Sequence, residues 1–226
     1  MKKQVAVIGL GRFGVSVATT LGDMGHEVLA LDIEERRVQD IASRVTHAVQ
    51  ADATNETVLQ DLGIKNFDAA IVALGSAIES SVLCALLLKR LEVGYVIARA
   101  ENELHGSILE KIGVDVVVYP EREMGTRVAL GLTLTGVSDY MPVVPKYGLA
   151  KLEAPPFLIG KKLSDLGFGP KGKWKVAVLL LQRQGEVIVN PSQREVIKES
   201  DVLVMAGNDD RLEKLLTAAQ DEEKGE

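Results

Sequence analysis

The chain has 226 residues, is 46% hydrophobic and 26% charged, and carries a net charge of −6. That length holds one large or two smaller globular domains, and the acidic balance excludes nucleic acid as a natural partner, since proteins that live on phosphate backbones carry the opposite charge. One cysteine, Cys84, inside the apolar run Val82–Leu88, allows no intrachain disulfide and reads as a small buried hydrophobe; no apolar run approaches the roughly 20 residues of a membrane span and no signal-peptide core follows Met1, so a cytoplasmic protein without direct membrane insertion is expected.

Residues 5–8 are a short apolar run ending in Gly9-Leu10-Gly11-Arg12-Phe13-Gly14, and a helical segment follows from Arg12 to Met24. Strand, G-x-G-x-x-G turn and helix, in that order, is the context in which this spacing binds a nucleotide or dinucleotide. Gly9 allows the tight turn, Gly11 lets backbone N–H groups approach phosphate, and Gly14 lets the helix lie against the strand. The helix N-terminus adds orphan donors and partial positive charge. Arg12 either stands solvated in the first turn or meets charge beyond a pyrophosphate, such as a γ-phosphate.

Further strands are expected at residues 28–31, 48–51, 69–73, 95–98 and 116–118, with helices at 34–43, 56–62, 76–91 and 104–112. Short apolar strands with little alternation suit a parallel sheet covered on both faces. Right-handed crossovers then predict a Rossmann-like, doubly wound α/β sheet of order 3-2-1-4-5-6, with ligands at the carboxyl ends of the strands. At those ends stand the remaining candidates. Asp32, 18 residues past Gly14, suits the hydroxyls of an adenosine ribose or the cap of the next helix. It argues against NADP, because it repels a 2′-phosphate and Ile33 supplies no cation, but it accepts NAD and ATP equally. Asp52, in Asp52-Ala53-Thr54, suits the adenine amino group, and it or Thr54 also suits a helix cap. The fourth strand ends in Ala73-Leu74-Gly75, where Gly75 leaves room for a ligand or simply turns the chain, and Ser76 with Glu79 spells a capping box. Arg99 and Glu121 follow the fifth and sixth strands, and Glu121 could help hold Mg2+ on a polyphosphate.

Residues 123–136 read as a further helix that packs against something beyond its own sheet, such as a second subunit. Residues 138–148 hold Pro142, Pro145 and Gly148 and read as a linker. The expected organisation is thus a nucleotide-binding domain at 1–122, a crossover helix and linker at 123–148, and a small α+β domain at 149–226. In that last domain strands at 176–181 and 186–189 flank a hairpin turn, a strand at 201–207 and a closing helix from 209 follow, and the charged tail 221–226 frays. So small a core is marginal alone and favours dimerisation.

A nicotinamide dehydrogenase needs a second domain that presents an acid–base group to the cofactor. The tail has no His and no Cys, and His26, His47 and His105 follow no strand's carboxyl end. Neither a nucleophile triad nor a metal-ligand cluster is evident, so a non-enzymatic nucleotide binder is expected. An NAD(H)-dependent oxidoreductase, or a protein whose tail senses a ligand while its first domain binds nucleotide structurally, are the alternatives.

Ile8-Gly9-Leu10-Gly11-Arg12-Phe13-Gly14, Leu31-Asp32, Ala51-Asp52-Ala53-Thr54, Ile112-Gly113-Val114-Asp115 and Tyr119-Pro120-Glu121-Arg122-Glu123-Met124-Gly125 together resemble the regulator-of-K+-conductance (RCK, TrkA-N) family, and the tail resembles its TrkA-C companion. The resemblance covers nearly the whole chain. It implies a nucleotide-sensing regulatory subunit, a homodimer assembling into an octameric ring on a membrane K+-translocating subunit of the KtrB/TrkH kind, in which ATP and ADP compete and ATP favours conduction. By position it assigns Arg12 to the γ-phosphate, Asp32 to the ribose, Asp52 to adenine, Arg99 to the phosphates and Glu121 to a divalent cation. The candidate nucleotide site is therefore Gly9, Gly11, Arg12, Phe13, Gly14, Asp32, Asp52, Ala53, Thr54, Ala73, Gly75, Arg99 and Glu121. Some relatives bind cyclic di-AMP through the tail; here the matching stretch, residues 168–174, departs from the pattern in which an arginine contributes.

Overall fold

The computed structural model describes residues 1–133, 136–169 and 172–223. Leu134 and Thr135 of the expected helix 123–136, Pro170 and Lys171 of the stretch 168–174, and residues 224–226 of the tail lie outside the described residues. The chain divides into two compact units, Met1–Glu121 and Arg122–Glu226.

In the first unit β1 (Gln4–Ile8), α1 (Arg12–Asp23), β2 (Glu27–Asp32), α2 (Glu35–Ile41), β3 (His47–Gln50), α3 (Glu56–Asp61), β4 (Ala69–Val72), α4 (Ile78–Arg90), β5 (Val96–Arg99), α5 (Glu103–Ile112) and β6 (Val116–Val118) alternate. The six strands are parallel in the order β3-β2-β1-β4-β5-β6, as the crossover rule predicts. Both faces are covered. Ala6, Ile8, Leu29, Leu31, Ala70 and Val72 enter one core cluster, and Val5, Val7, Val28, Ala30 and Ile71 enter another. That is why β1 and β2 read as continuous apolar runs. Cys84 is fully buried, and burial pushes its thiol up to about 12, as befits a core hydrophobe.

The next helix, α6 (Pro120–Thr133), starts three residues earlier than the sequence predicts. Proline at a first helical position loses no hydrogen bond and has a suitable φ, so Glu121 lies in a first turn, not in a strand-end loop. Met124, Val128 and Leu132 of α6 are exposed, whereas Leu130 packs against the second unit's core.

That second unit contains β7 (Val137–Val144), β8 (Tyr147–Glu153), β9 (Ala177–Arg183), β10 (Glu186–Val189), β11 (Val202–Asn208) and α7 (Asp209–Glu223). The antiparallel order is β10-β9-β11-β8-β7. The expected linker is instead a β-hairpin. Pro142 is tolerated because β7 is an edge strand, and Tyr140 anchors it. The tyrosine is fully buried, donates its hydroxyl proton to Asp209, and lies over Gly148, where a Cβ would come within 2.1 Å of the phenol oxygen. The β9–β10 hairpin is tighter than predicted, turning on Gln184 and Gly185 alone, both at positive φ (50° and 87°), the geometry that matches strand twist.

The unit holds one fully buried carboxylate, Asp201, among its described residues. It accepts hydrogen bonds from Arg183 Nε (2.8 Å), Arg183 Nη2 (2.7 Å) and the Lys198 N–H (2.7 Å), while Glu195 takes Arg183 Nη1 at 2.9 Å. Burial alone would raise the Asp201 carboxyl; the guanidinium and the N–H outweigh it and hold the group below its ordinary 3.8. A depressed folded-state value means stabilisation that is complete above the ordinary carboxylate range and is lost as pH falls through it. Asp201→Ala leaves a guanidinium without its main partner and should cost about 3–5 kcal/mol in urea unfolding at neutral pH, with the gap to the wild-type chain closing on acidification.

Candidate functional site

A cleft of about 400 Å3 opens where the carboxyl ends of β1, β2, β3 and β4 meet, lined by Gly9, Gly11, Asp32, Asp52, Ala53, Thr54, Ala73 and Arg99 of the expected set. The three glycines differ in what surrounds them. Gly9 has φ +96°, and a Cβ there would sit 2.9 Å from the Ala73 carbonyl carbon. A Cβ on Gly14 would stand 1.8 Å from the Gly9 carbonyl oxygen, so α1 rests directly on the end of β1. At Gly11 a Cβ would meet nothing within 4 Å. Cross-strand bonds tie the turn down, with the Gly9 N–H donating to Leu31 O (2.8 Å) and the Ala73 N–H to Ile8 O (2.7 Å).

The start of α1 is left chemically bare. Its N-cap is Gly11, no side chain caps it, and its first turn holds no acidic residue. A helix in that state presents unpaired N–H groups and positive potential, which fits an anionic phosphate group above Gly11. Arg12 is exposed in this turn and has no ion pair among the described residues. It does not line the cleft, and Phe13 packs against the core cluster of Val5 and Val7.

Asp32 lines the cleft, but it does not cap α2, whose N-cap is Glu34 with no side-chain bond. Asp32 is 6% exposed; Oδ2 accepts from the Leu10 N–H (2.7 Å), and Oδ1 accepts from the Glu34 N–H (2.9 Å) at the start of α2. The carboxylate thus ties the glycine turn to the second strand while lining the cleft. The sequence reading missed Arg37, whose Nη1 lies 3.4 Å from Asp32 Oδ2 and whose Nη2 lies 2.8 Å from Glu34. The absence of a cation beside Asp32, part of the case against NADP, is therefore corrected. With two carboxylates to one guanidinium, however, the local balance stays negative. The signal was present as an arginine five residues beyond the strand end, in the first turn of the helix.

Two further capping assignments change. Asp52 forms a local turn, accepting from the Thr54 N–H (2.9 Å) and hydroxyl (2.7 Å), which hold its carboxyl below the usual range. The cap of α3 is Asn55, accepting from the Thr57 N–H. The Ser76–Glu79 capping box does not form. The N-cap of α4 is Ala77, with no side-chain bond, and Ser76 lines the cleft.

Gly75 makes room for protein. Its φ is +36°, and a Cβ would fall 1.7 Å from Arg99 Nη1. The guanidinium seated there is bonded to Glu121, with Nη2 to Oε1 at 2.8 Å and Nε to Oε2 at 3.4 Å, and to Glu101 at 3.2 Å. The structure thus brings Gly75, Arg99 and Glu121 together, but Glu121 does not line the cleft. No group of three or more His, Cys, Asp or Glu side chains that could hold a metal occurs among the described residues. His105, set aside for lying away from the strand ends, stands in the first turn of α5 beside this cluster. It is 1% exposed, its Nδ1 accepts from the Glu101 N–H (3.2 Å), and burial lowers its pKa and leaves it neutral near pH 7.

The glycines give a paired prediction. Gly11→Ala should leave stability within about 0.5 kcal/mol of wild type, whereas Gly14→Ala, forced against a backbone oxygen, should lose about 2 kcal/mol or more, both read by urea unfolding.

Comparison with known proteins supplies the context. The TrkA-N domain family model matches residues 5–120, and the TrkA-C domain model matches residues 150–219. The chain is 41% identical over 208 residues to Ktr system potassium uptake protein C of Bacillus subtilis, covering 92% of this chain and 93% of that protein. It is 42% identical over 206 residues to Ktr system potassium uptake protein A of the same organism, covering 91% and 92%. Among solved structures, the GsuK channel bound to NAD has a TM-score of 0.65 at 18% identity, covering 94% of this chain but only 38% of that one, a likeness of fold. Among the described residues no helix is long and apolar enough to cross a membrane.

Proposed function

The chain belongs to the TrkA-N/TrkA-C (RCK) family of Ktr and Trk potassium-uptake proteins, and on that premise we propose that it is a non-enzymatic regulatory subunit that senses ATP against ADP. It then acts at the cytoplasmic face of a membrane K+-translocating partner, as a homodimer assembled into an octameric ring. The observation that carries this reading is the bare N-terminus of α1 beside the cleft, with Arg12, unpaired among the described residues, in its first turn and Asp32 holding the Leu10 N–H just before it. The N–H groups take the phosphates shared by ATP and ADP, Asp32 takes the ribose, Asp52 and Ala53 border the base, and Arg12 meets the γ-phosphate of the same or a neighbouring subunit. A ligand gates only if it binds two states unequally, and the γ-phosphate is what distinguishes the two nucleotides.

Glu121 completes the proposal. Both its oxygens accept from Arg99, so it becomes available to a divalent cation such as Mg2+ once phosphates draw Arg99 away. NAD(H) is the second reading, favoured by Asp32, which suits its adenosine ribose equally. Cyclic di-AMP binding by the tail is the weakest, because residues 168–174 lack the contributing arginine.

Thermal shift with ATP, ADP, NAD, NADH and cyclic di-AMP tests the set, a ligand at 100 times its Kd stabilising by about 2.7 kcal/mol. ATP and ADP should stabilise; a response to NADH alone would overturn the proposal. Arg12→Ala should weaken ATP about 10–100-fold and ADP little, and equal losses would remove the γ-phosphate role. Glu121→Gln should abolish any gain that Mg2+ adds to ATP. Mass photometry should find the ring, which a monomer at all concentrations contradicts.

A further inference from the structure

One end of the second unit's sheet gathers positive charge that its own carboxylates do not neutralise. β8 begins there at Tyr147, β11 ends there at Asn208, and the chain enters β9 there just after Lys175. The first turns of α7 add Asp210, Arg211 and Lys214, and the six residues line a concavity of about 380 Å3. The unit's charge pairs of Arg127 with Asp139 and of Arg183 with Glu195 and Asp201 lie elsewhere. Lys175, Arg211 and Lys214 have no carboxylate partner among the described residues.

The other members set limits on what fits. Asn208 is already engaged, donating to Lys146 O (3.0 Å) and accepting from the Asp210 N–H (3.1 Å), so it forms wall. Asp210 contributes one negative charge against three positive ones. Tyr147 is 52% exposed and offers a ring and a hydroxyl at the rim. Lys175 holds φ +53°, a left-handed conformation that L side chains adopt at a cost, and such strain gathers at functional positions.

We propose that this concavity binds the phosphate or diphosphate group of a soluble small molecule. An excess of two positive charges matches a dianion, whereas a single carboxylate would leave one cation unmatched. The Arg211 fork suits bidentate phosphate contact and the two lysines act as point charges around it. Tyr147 then borders the organic part. The site lies wholly within residues 122–226 and shares no residue with the cleft of the first unit.

The chain's single tryptophan, Trp174, directly precedes Lys175 in sequence, packs against the second unit's core and serves as the probe. Full-length protein is titrated with pyrophosphate at constant ionic strength while Trp174 fluorescence is followed. A saturable change with a Kd of about 0.1–1 mM is expected. The double variant Arg211→Ala/Lys214→Ala should weaken it at least about tenfold. Lys175→Gly removes an ammonium where glycine readily accepts the positive φ, so it should weaken binding with the thermal midpoint unchanged, separating lost charge from lost fold. No saturable signal, an equal signal from sodium chloride, or a signal undiminished in the variants would each overturn the proposal. None of these outcomes depends on what the first unit binds.

Discussion

The structure turns on a missing methyl group. Because Gly14 has no Cβ, α1 can rest on the carbonyl of Gly9, and that contact fixes where the helix starts. It sets the first N–H groups of α1 over the carboxyl edge of the sheet, with the open space at Gly11 in front of them. The rest of the cleft is assembled to keep this arrangement in place. The Leu10 N–H is held by Asp32 from β2, and the Gly9 turn is wedged against Ala73 from β4. The groups that shape the cleft are thus the groups that hold β2, β1 and β4 together, and the candidate ligand-binding and fold-stabilising roles of Asp32 cannot be separated.

The cations at the cleft edge are paired internally, with carboxylate in excess. Arg37 lies between Asp32 and Glu34, and Arg99 between Glu101 and Glu121. Each guanidinium is outnumbered by carboxylates, so an incoming anion must compete with side chains already in place. Arg12, outside the cleft lining, has no such partner among the described residues. A cation already paired contributes to binding only the difference between its old and new partners, so the unpaired one has the larger effect to give.

The parallel sheet was legible because its strands are buried on both faces and its helices are periodic; strand order followed from the doubly wound topology that the glycine turn signals, with right-handed crossovers. What failed was local chemistry that tertiary contacts override. Ser76 and Glu79 have the spacing of a capping box, but the turn at Gly75 is shaped by the Arg99 guanidinium, and α4 starts one residue too late to use the serine. Asp52 and Asn55 are both good caps; Asp52 is captured by Thr54 first. Pro142 and Pro145 read as linker because a proline excludes a central strand, and nothing local says that β7 would be an edge. Arg183 and Asp201 were invisible as a pair, since only the β9–β11 register brings them together. Of the site, the residues at strand ends were legible, whereas Arg37, and His105 beside the Arg99 cluster, each in the first turn of the following helix, were not.

The position of β1 also has a consequence in time. Of the six strands of this sheet it is made first and, with β4, lies at the centre, pairing with β2 from Glu27 onward and with β4 from Ala69 onward. The nascent chain can therefore pair β1 with β2, and β2 with β3, early, while the other edge of β1 stays open until β4 has been made. During that interval the glycine turn has its Asp32 anchor but lacks the Ala73 wall. A nucleotide that depends on the finished cleft can stabilise the chain only after β4 is in place, so ligand binding follows the pairing of β4 with β1 and cannot guide the earlier ones.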